Sequence, residues 1–213
     1  MSYYDRTKTE EYLLSLLDGK LSINLEDVRK MARREETPIV SDTGAQFLVQ
    51  MVKLTNPKRI LEIGTAIGYS GLLMLLSSNA QLYTIDFNER ALQLAKENFD
   101  KYAVSSRVRV LPGDASLIIP MIEGSFDFIF LDGPKGRYYE YLPYLKKMMR
   151  PGAVLLADNV LYSGRMSGEE SVPRSKQTIA DRLDIFIKEI TTDSDFITSI
   201  IPVGDGMCLA VRK

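Results

Sequence analysis

The stretch Leu61-Glu62-Ile63-Gly64-Thr65-Ala66-Ile67-Gly68-Tyr69-Ser70 decides the fold. Residues 59–64 read as a short buried strand, introduced after Pro57 and closed by Gly64, and an apolar helix is expected over 69–77. Glycine at a strand-to-helix turn lets a ligand approach the backbone, and the first helical turn offers free N–H groups. A dinucleotide site would need G-x-G-x-x-G, but here Gly64 is followed by Gly68 with Ala66 between, and Glu62 sits in the strand end. That carboxylate repels a pyrophosphate and welcomes a cationic or hydroxyl-rich ligand. A nicotinamide-dependent oxidoreductase is disfavoured on both counts.

Downstream the pattern repeats. Strands at 81–86, 107–112, 126–132 and 153–158 alternate with helices at 89–101, 115–121, 136–149 and 175–190, which implies an α/β fold with a mostly parallel, doubly wound sheet. Two apolar strands, 196–203 and 207–212, flank Gly204-Asp205-Gly206, a tight-turn signal, so the sheet should end in an antiparallel hairpin, seven strands in all. Upstream, helices are expected over 4–17, 24–35 and 43–54. The reading is one domain over 1–213, with a helical cap at 1–56 and a cofactor-binding core at 57–213.

Bulk properties set limits. A chain of 213 residues, 45% hydrophobic, 26% charged and of net charge −1, is ordinary for a globular domain. No apolar run spans a bilayer, and the first twenty residues are too charged for a signal peptide, so a cytoplasmic location and no membrane partner are expected. The chain has no histidine, which removes His-based triads and His zinc sites and leaves carboxylates, amides, hydroxyls and amines for any chemistry. The single Cys208 reads as a small core residue.

Every parallel strand delivers an acid to the same edge: Glu62, Asp86, Asp114, Asp132 and Asp158, the last followed by Asn159. Ligands in such sheets lie beyond the carboxyl ends of the strands, so five acids converging on one crevice call for a cationic or polyhydroxylated occupant. Asp86 lies where a carboxylate can accept hydrogen bonds from a ribose diol. Asp132, Asp158 and Asn159 together offer only hard oxygen donors, which suits magnesium, manganese or calcium. Lys135, three positions past Asp132, would then stand near that cation with a lowered pKa, ready to accept or share a proton.

The glycine turn with its acid resembles motif I of the class I S-adenosylmethionine-dependent methyltransferases. Asp132-Gly133-Pro134-Lys135 followed by Asp158-Asn159 resembles the metal-dependent O-methyltransferases of the catechol and caffeoyl-coenzyme A type, with Gly133-Pro134 in place of the commoner Ala-small pair. The resemblance implies S-adenosylmethionine as cofactor and Mg2+ or another hard divalent cation at Asp132, Asp158 and Asn159. It implies catalytic roles for Lys135 and Asp132, and cofactor contacts from Val40, Glu62, Gly64, Gly68, Ser70, Asp86, Asp114, Ala115 and Asp132. Relatives often pair through their leading helices, so a homodimer is expected.

A metal-assisted displacement suits a substrate with vicinal oxygens, which a catechol and a 5-hydroxyuracil ring both possess. Between Gly133 and Lys176 stand eight Lys/Arg against four acids, together with five of the eleven tyrosines, a composition that suits phosphates and stacked bases. Pro38-Ile39-Val40, Leu61 to Ser70, Asp158 to Leu161 and Ile200 to Gly206 resemble the bacterial tRNA 5-hydroxyuridine methyltransferase branch of the family, implying tRNA as partner, with Arg33, Arg34, Arg165 and Arg174 as RNA contacts. The loop 162–176 is expected to lie over the substrate. A small catechol or other vicinal diol remains the alternative substrate.

Overall fold

The computed structural model describes residues 12, 15, 16, 23–168 and 170–213. Strand β1 (Arg59–Ile63) is buried from Ile60 onward, as a strand covered by helices on both faces must be. It pairs in parallel with β2 (Gln81–Asp86) on one side and β4 (Phe126–Leu131) on the other. Beyond these lie β3 (Val108–Pro112) and β5 (Met149–Ala157), then β7 (Met207–Arg212) and β6 (Phe196–Ile201), so the order is β3-β2-β1-β4-β5-β7-β6. Of the seven strands, β7 alone runs opposite to the other six. The doubly wound sheet with a closing hairpin is therefore the observed architecture, and chain order reverses between β1 and β4, the switch point at which such sheets bind ligands.

Helices cover both faces. On one, Leu48 and Val52 of α2 (Asp42–Thr55), Leu72 and Leu75 of α3 (Tyr69–Ser77) and Phe99 of α4 (Glu89–Lys101) share a core with Ile60 and Phe128. On the other, Ile119 following α5 (Ala115–Ile118), Leu142 and Leu145 of α6 (Tyr138–Met148) and Leu183 and Phe186 of α7 (Gln177–Thr192) pack on Leu61, Ile63 and Ile129. α1 (Glu26–Arg34) joins the first core through Val28 and Ala32. Of the helix expected over 4–17, only Tyr12, Ser15 and Leu16 are described, and they are helical; the rest lies outside the described residues.

Two boundaries differ for identifiable reasons. The helix expected over 115–121 is α for four residues only and ends as a 3-10 turn at Ile119–Met121, where Pro120 supplies no N–H. β5 starts at Met149 rather than 153: Met149 pairs with Phe126 and Val154 with Phe128, so the Pro151-Gly152 segment bulges between them, with Gly152 at φ +82°.

Candidate active site

A cavity of about 1140 Å³ opens at the carboxyl ends of β1, β2, β4 and β5. That lies just above the roughly 300–1,000 Å³ usual for a small-molecule site. Gly64 makes the geometry possible. It holds φ +104°, and a Cβ there would lie 2.3 Å from the Asp132 carbonyl oxygen, so only glycine lets the ends of β1 and β4 approach this closely.

One half of the cavity gathers Val40, Gly64, Ser70, Asp86, Asp114 and Ala115 of the expected cofactor residues. Asp86 is clamped from two turns: Oδ2 accepts the N–H of Ala66, in the glycine turn after β1, at 2.8 Å, and Oδ1 the Asn88 N–H of its own turn at 3.0 Å. Asp114 caps α5, its Oδ1 accepting the Ser116 N–H and hydroxyl, both at 2.8 Å, which holds its carboxyl below the usual range. Phe87, directly after Asp86, lines the cavity while remaining 71% exposed. The sequence reading missed it; its signal was an aromatic residue placed just past an acidic strand end.

Glu62 and Gly68 stand behind this wall. Glu62 is wholly buried, its Oε1 accepting from Ser70 Oγ and its Oε2 from Thr84 Oγ1, both at 2.6 Å, and burial pushes its carboxyl up to about 7. Gly68, at φ +82°, faces α4: a Cβ there would lie 2.9 Å from Phe99 Cζ.

The other half is built by register. Leu131 of β4 pairs with Ala157 of β5, so the residues that follow, Asp132 and Asp158, leave the sheet at the same level. Both line the cavity, with Asn159 and Lys135. Asn159 adopts φ +57°, a left-handed conformation that asparagine tolerates, and its N–H donates to Asp158 Oδ1 at 2.7 Å. Burial and the facing Asp132 carboxylate push the Asp158 carboxyl well up. Tyr138, buried beneath, donates its hydroxyl toward the Leu131 carbonyl at 3.1 Å and the Asp158 carbonyl at 3.3 Å, bridging the two strand ends.

Lys135 departs from expectation. Its Nζ donates to Asp132 Oδ1 at 2.8 Å. Burial works against the ammonium, but the carboxylates of Asp132 and Asp158 outweigh it, so the pKa is raised rather than lowered. The lowered value required a cation to offset those carboxylates.

The far wall comes from loops. Tyr162 and Ser163 hold φ +51° and +56°, ahead of Gly164 at +73°, and the Ser163 N–H donates to Asp205 Oδ1 at 2.6 Å. Asp205, in the β6–β7 turn, was read only as part of a turn, yet it lines the cavity. Among the proposed basic contacts, Arg165 stacks on the Tyr162 ring at 5.3 Å, whereas Arg33 pairs with Glu26 and Arg34 with Glu35. None of Arg33, Arg34, Arg165 and Arg174 is among the cavity walls. Of the five clustered tyrosines, Tyr138 and Tyr141 pack into the core, although Tyr141 also borders the cavity. No helix among the described residues is long and apolar enough to cross a membrane.

This arrangement has relatives. A catechol O-methyltransferase of Niastella koreensis is 33% identical over 182 residues, 82% of either chain. Caffeoyl-CoA O-methyltransferase 1 of Eucalyptus globulus is 27% identical over 199 residues, 88% of this chain and 81% of its own length. The O-methyltransferase from Bacillus cereus, solved in complex with SAH, superposes with a TM-score of 0.83 at 26% identity, covering 98% of this chain and 99% of that one. The family model described as O-methyltransferase matches residues 18–213, from the helices ahead of β1 to the end of β7, and the chain therefore belongs to the O-methyltransferase family.

Proposed function

We propose that the chain transfers the methyl group of S-adenosylmethionine to a hydroxyl with a second oxygen beside it, assisted by a divalent cation, and that this hydroxyl belongs to wobble 5-hydroxyuridine of tRNA, giving 5-methoxyuridine. The observation that carries the reading is the single cavity with two unlike halves. Asp86 and Phe87 suit a ribose diol and an adenine face, Asp114 and Ala115 the base edge, and Val40, Gly64 and Ser70 the amino-acid end. The SAH bound by the Bacillus cereus relative supports the same choice of cofactor.

In the other half, Asp132, Asp158 and Asn159 would hold magnesium or another hard divalent cation. The donor set fits: it is oxygen only, and the two carboxylates repel one another until a cation stands between them. Among the described residues no three His, Cys, Asp or Glu side chains converge to hold a metal, so the Asn159 amide has to complete the set. When bound, such a cation supplies Lewis acidity that lowers the pKa of a substrate hydroxyl. Lys135, held protonated by Asp132, faces the same hydroxyl as a donor to the developing oxyanion, and it becomes a proton acceptor only when the carboxylates' charge is offset. The rest is positioning: the walls fix the acceptor oxygen in line with the sulfonium methyl.

For the substrate, Tyr162 in the cavity wall and the basic, tyrosine-rich run from Gly133 to Lys176 support an RNA base with its phosphates. A small catechol is the second reading, favoured by the catechol and caffeoyl-CoA relatives. Incorporation of labelled methyl from S-adenosylmethionine, measured side by side on total tRNA from a deletion strain and on a catechol, separates the two. Loss of 5-methoxyuridine from that strain's tRNA is the expected result, and unchanged 5-methoxyuridine refutes the tRNA assignment.

A further inference from the structure

The segment that follows β5 bends through three consecutive left-handed residues, Tyr162 at φ +51°, Ser163 at +56° and Gly164 at +73°. Glycine adopts that conformation freely, but in tyrosine and serine the Cβ crowds the following carbonyl, so the surroundings have to hold it. The β6–β7 turn does so with three hydrogen bonds. The Val160 N–H donates to the Gly206 carbonyl at 3.0 Å, the Leu161 N–H to the Asp205 carbonyl at 2.9 Å, and the Ser163 N–H to Asp205 Oδ1 at 2.6 Å. The first two join backbone to backbone and do not depend on the side chain at 205. The third needs an oxygen on that side chain, and of the three it alone reaches the left-handed residues. Gly206 lets the turn come this close: a Cβ there would lie 2.3 Å from Leu161 Cγ. Tyr162, Ser163 and Asp205 all line the cavity.

We propose that Asp205 is a positioning residue for the methyl acceptor: its carboxylate fixes Tyr162 and Ser163 in the left-handed arrangement that forms the wall against which a flat acceptor ring is seated. The proposal rests on the O-methyl transfer reading above, and it concerns the acceptor rather than the donor or the cation. Geometry sets aside a role for Asp205 as a cation ligand, because among the described residues no three His, Cys, Asp or Glu side chains converge to hold a metal, although Asp132 and Asp158 line the same cavity. On the donor side, Asp86, Asp114 and Ser70 are held by the glycine turn, the start of α5 and Glu62, none of which involves Asp205. Lys135 and Arg165 are the cations acting on Asp205, and the attraction of Arg165, stacked on the Tyr162 ring at 5.3 Å, draws the same segment toward the turn.

Asp205→Ala removes the acceptor of the Ser163 N–H, whereas Asp205→Asn keeps an oxygen at constant size and removes only the charge. Steady-state methyl transfer by the full-length variants is measured on total tRNA from the deletion strain and on catechol, with calorimetric titration of S-adenosylhomocysteine alongside. Asp205→Ala should raise the acceptor KM by about tenfold or more, as for one lost charge-assisted hydrogen bond, while S-adenosylhomocysteine binds as it does to the wild type. Asp205→Asn should stay within about threefold of the wild type, because the hydrogen bond survives in neutral form. A merely structural role would weaken donor and acceptor together. The segment is also read without turnover. The chain has no tryptophan, so Tyr162→Trp supplies a single fluorescent reporter. Adding Asp205→Ala to it should increase quenching by acrylamide, and Asp205→Asn should not. An unchanged acceptor KM, equal weakening of S-adenosylhomocysteine, Asp205→Asn as defective as Asp205→Ala, or unchanged quenching would overturn the proposal. Wild-type protein that methylates neither tRNA nor catechol would instead refute the functional reading, and the quenching then decides on Asp205 by itself.

Discussion

Glu62→Gln should make the protein more stable at alkaline pH. The carboxyl titrates at about 7 in the fold against 4.5 ordinarily, with burial the dominant cause and the Ser70 and Thr84 hydroxyls opposing it. A raised folded-state value means that the folded chain holds this proton more tightly than the unfolded chain. Stability is therefore lost as pH rises from about 4.5 to about 7, and the loss is complete above that. A shift of roughly 2.5 units at 1.36 kcal/mol each gives about 3 kcal/mol at pH 8. Glutamine has no such titration, so the variant should be more stable at pH 8 by about 3 kcal/mol, or roughly 6–12 °C in melting temperature for a chain of this size. At pH 5 the two proteins should agree to within about 1 kcal/mol. Asp158 is shifted in the same direction, but it is present in both proteins and cancels from the difference. Urea denaturation of the ligand-free proteins across this range is the assay. A gap that is absent at pH 8, or equally large at pH 5, refutes the view that a buried charge is maintained here.

Other perturbations probe the rest of the cavity. Asp158→Ala should lower methyl transfer by about 10²–10³-fold and leave S-adenosylmethionine binding nearly intact, and treatment of the wild type with EDTA should do the same in a way that added magnesium reverses. Phe87→Ala, at a 71% exposed position, should leave the melting temperature unchanged but weaken adenosine-containing ligands by about 1–3 kcal/mol in a calorimetric titration. Gly64→Ala forces a Cβ onto the Asp132 carbonyl at φ +104° and should destabilise the fold by about 2–4 kcal/mol in urea; a neutral effect would mean that β1 and β4 can part without harm.

Much of this is legible in the linear chain, and the reason is register. Parallel strands of similar length end at one edge, so reading the last residue of each gives Asp86, Asp132 and Asp158 without coordinates. The glycine turn is equally plain, because a buried apolar run followed at once by a helix leaves few conformations for the residues between. Hydrogen-bond direction is not legible. Glu62 reads as a ligand-facing acid until its partners are known, and those partners, Ser70 and Thr84, lie 8 and 22 residues away on other elements. Asp205 was hidden for a similar reason: a glycine-flanked aspartate signals a turn, and only the return of β7 alongside β5 brings that turn over the cavity. For Lys135, sequence gave the position but not the sign of its perturbation, which depends on how closely two carboxylates crowd it.

The wedge position of β7 has a consequence for how the molecule is made. β5 and β6 are not neighbours in the sheet; each pairs with β7. During synthesis the ribosome releases β5 and β6 before Met207–Arg212, so a nascent chain with every earlier strand in place still carries an open, apolar edge at β5. The same late segment brings Gly204 and Asp205 to the cavity, so the pocket acquires its last wall only as the edge is sealed. Stalled or truncated chains that stop short of residue 207 should consequently aggregate rather than persist as soluble, inactive protein.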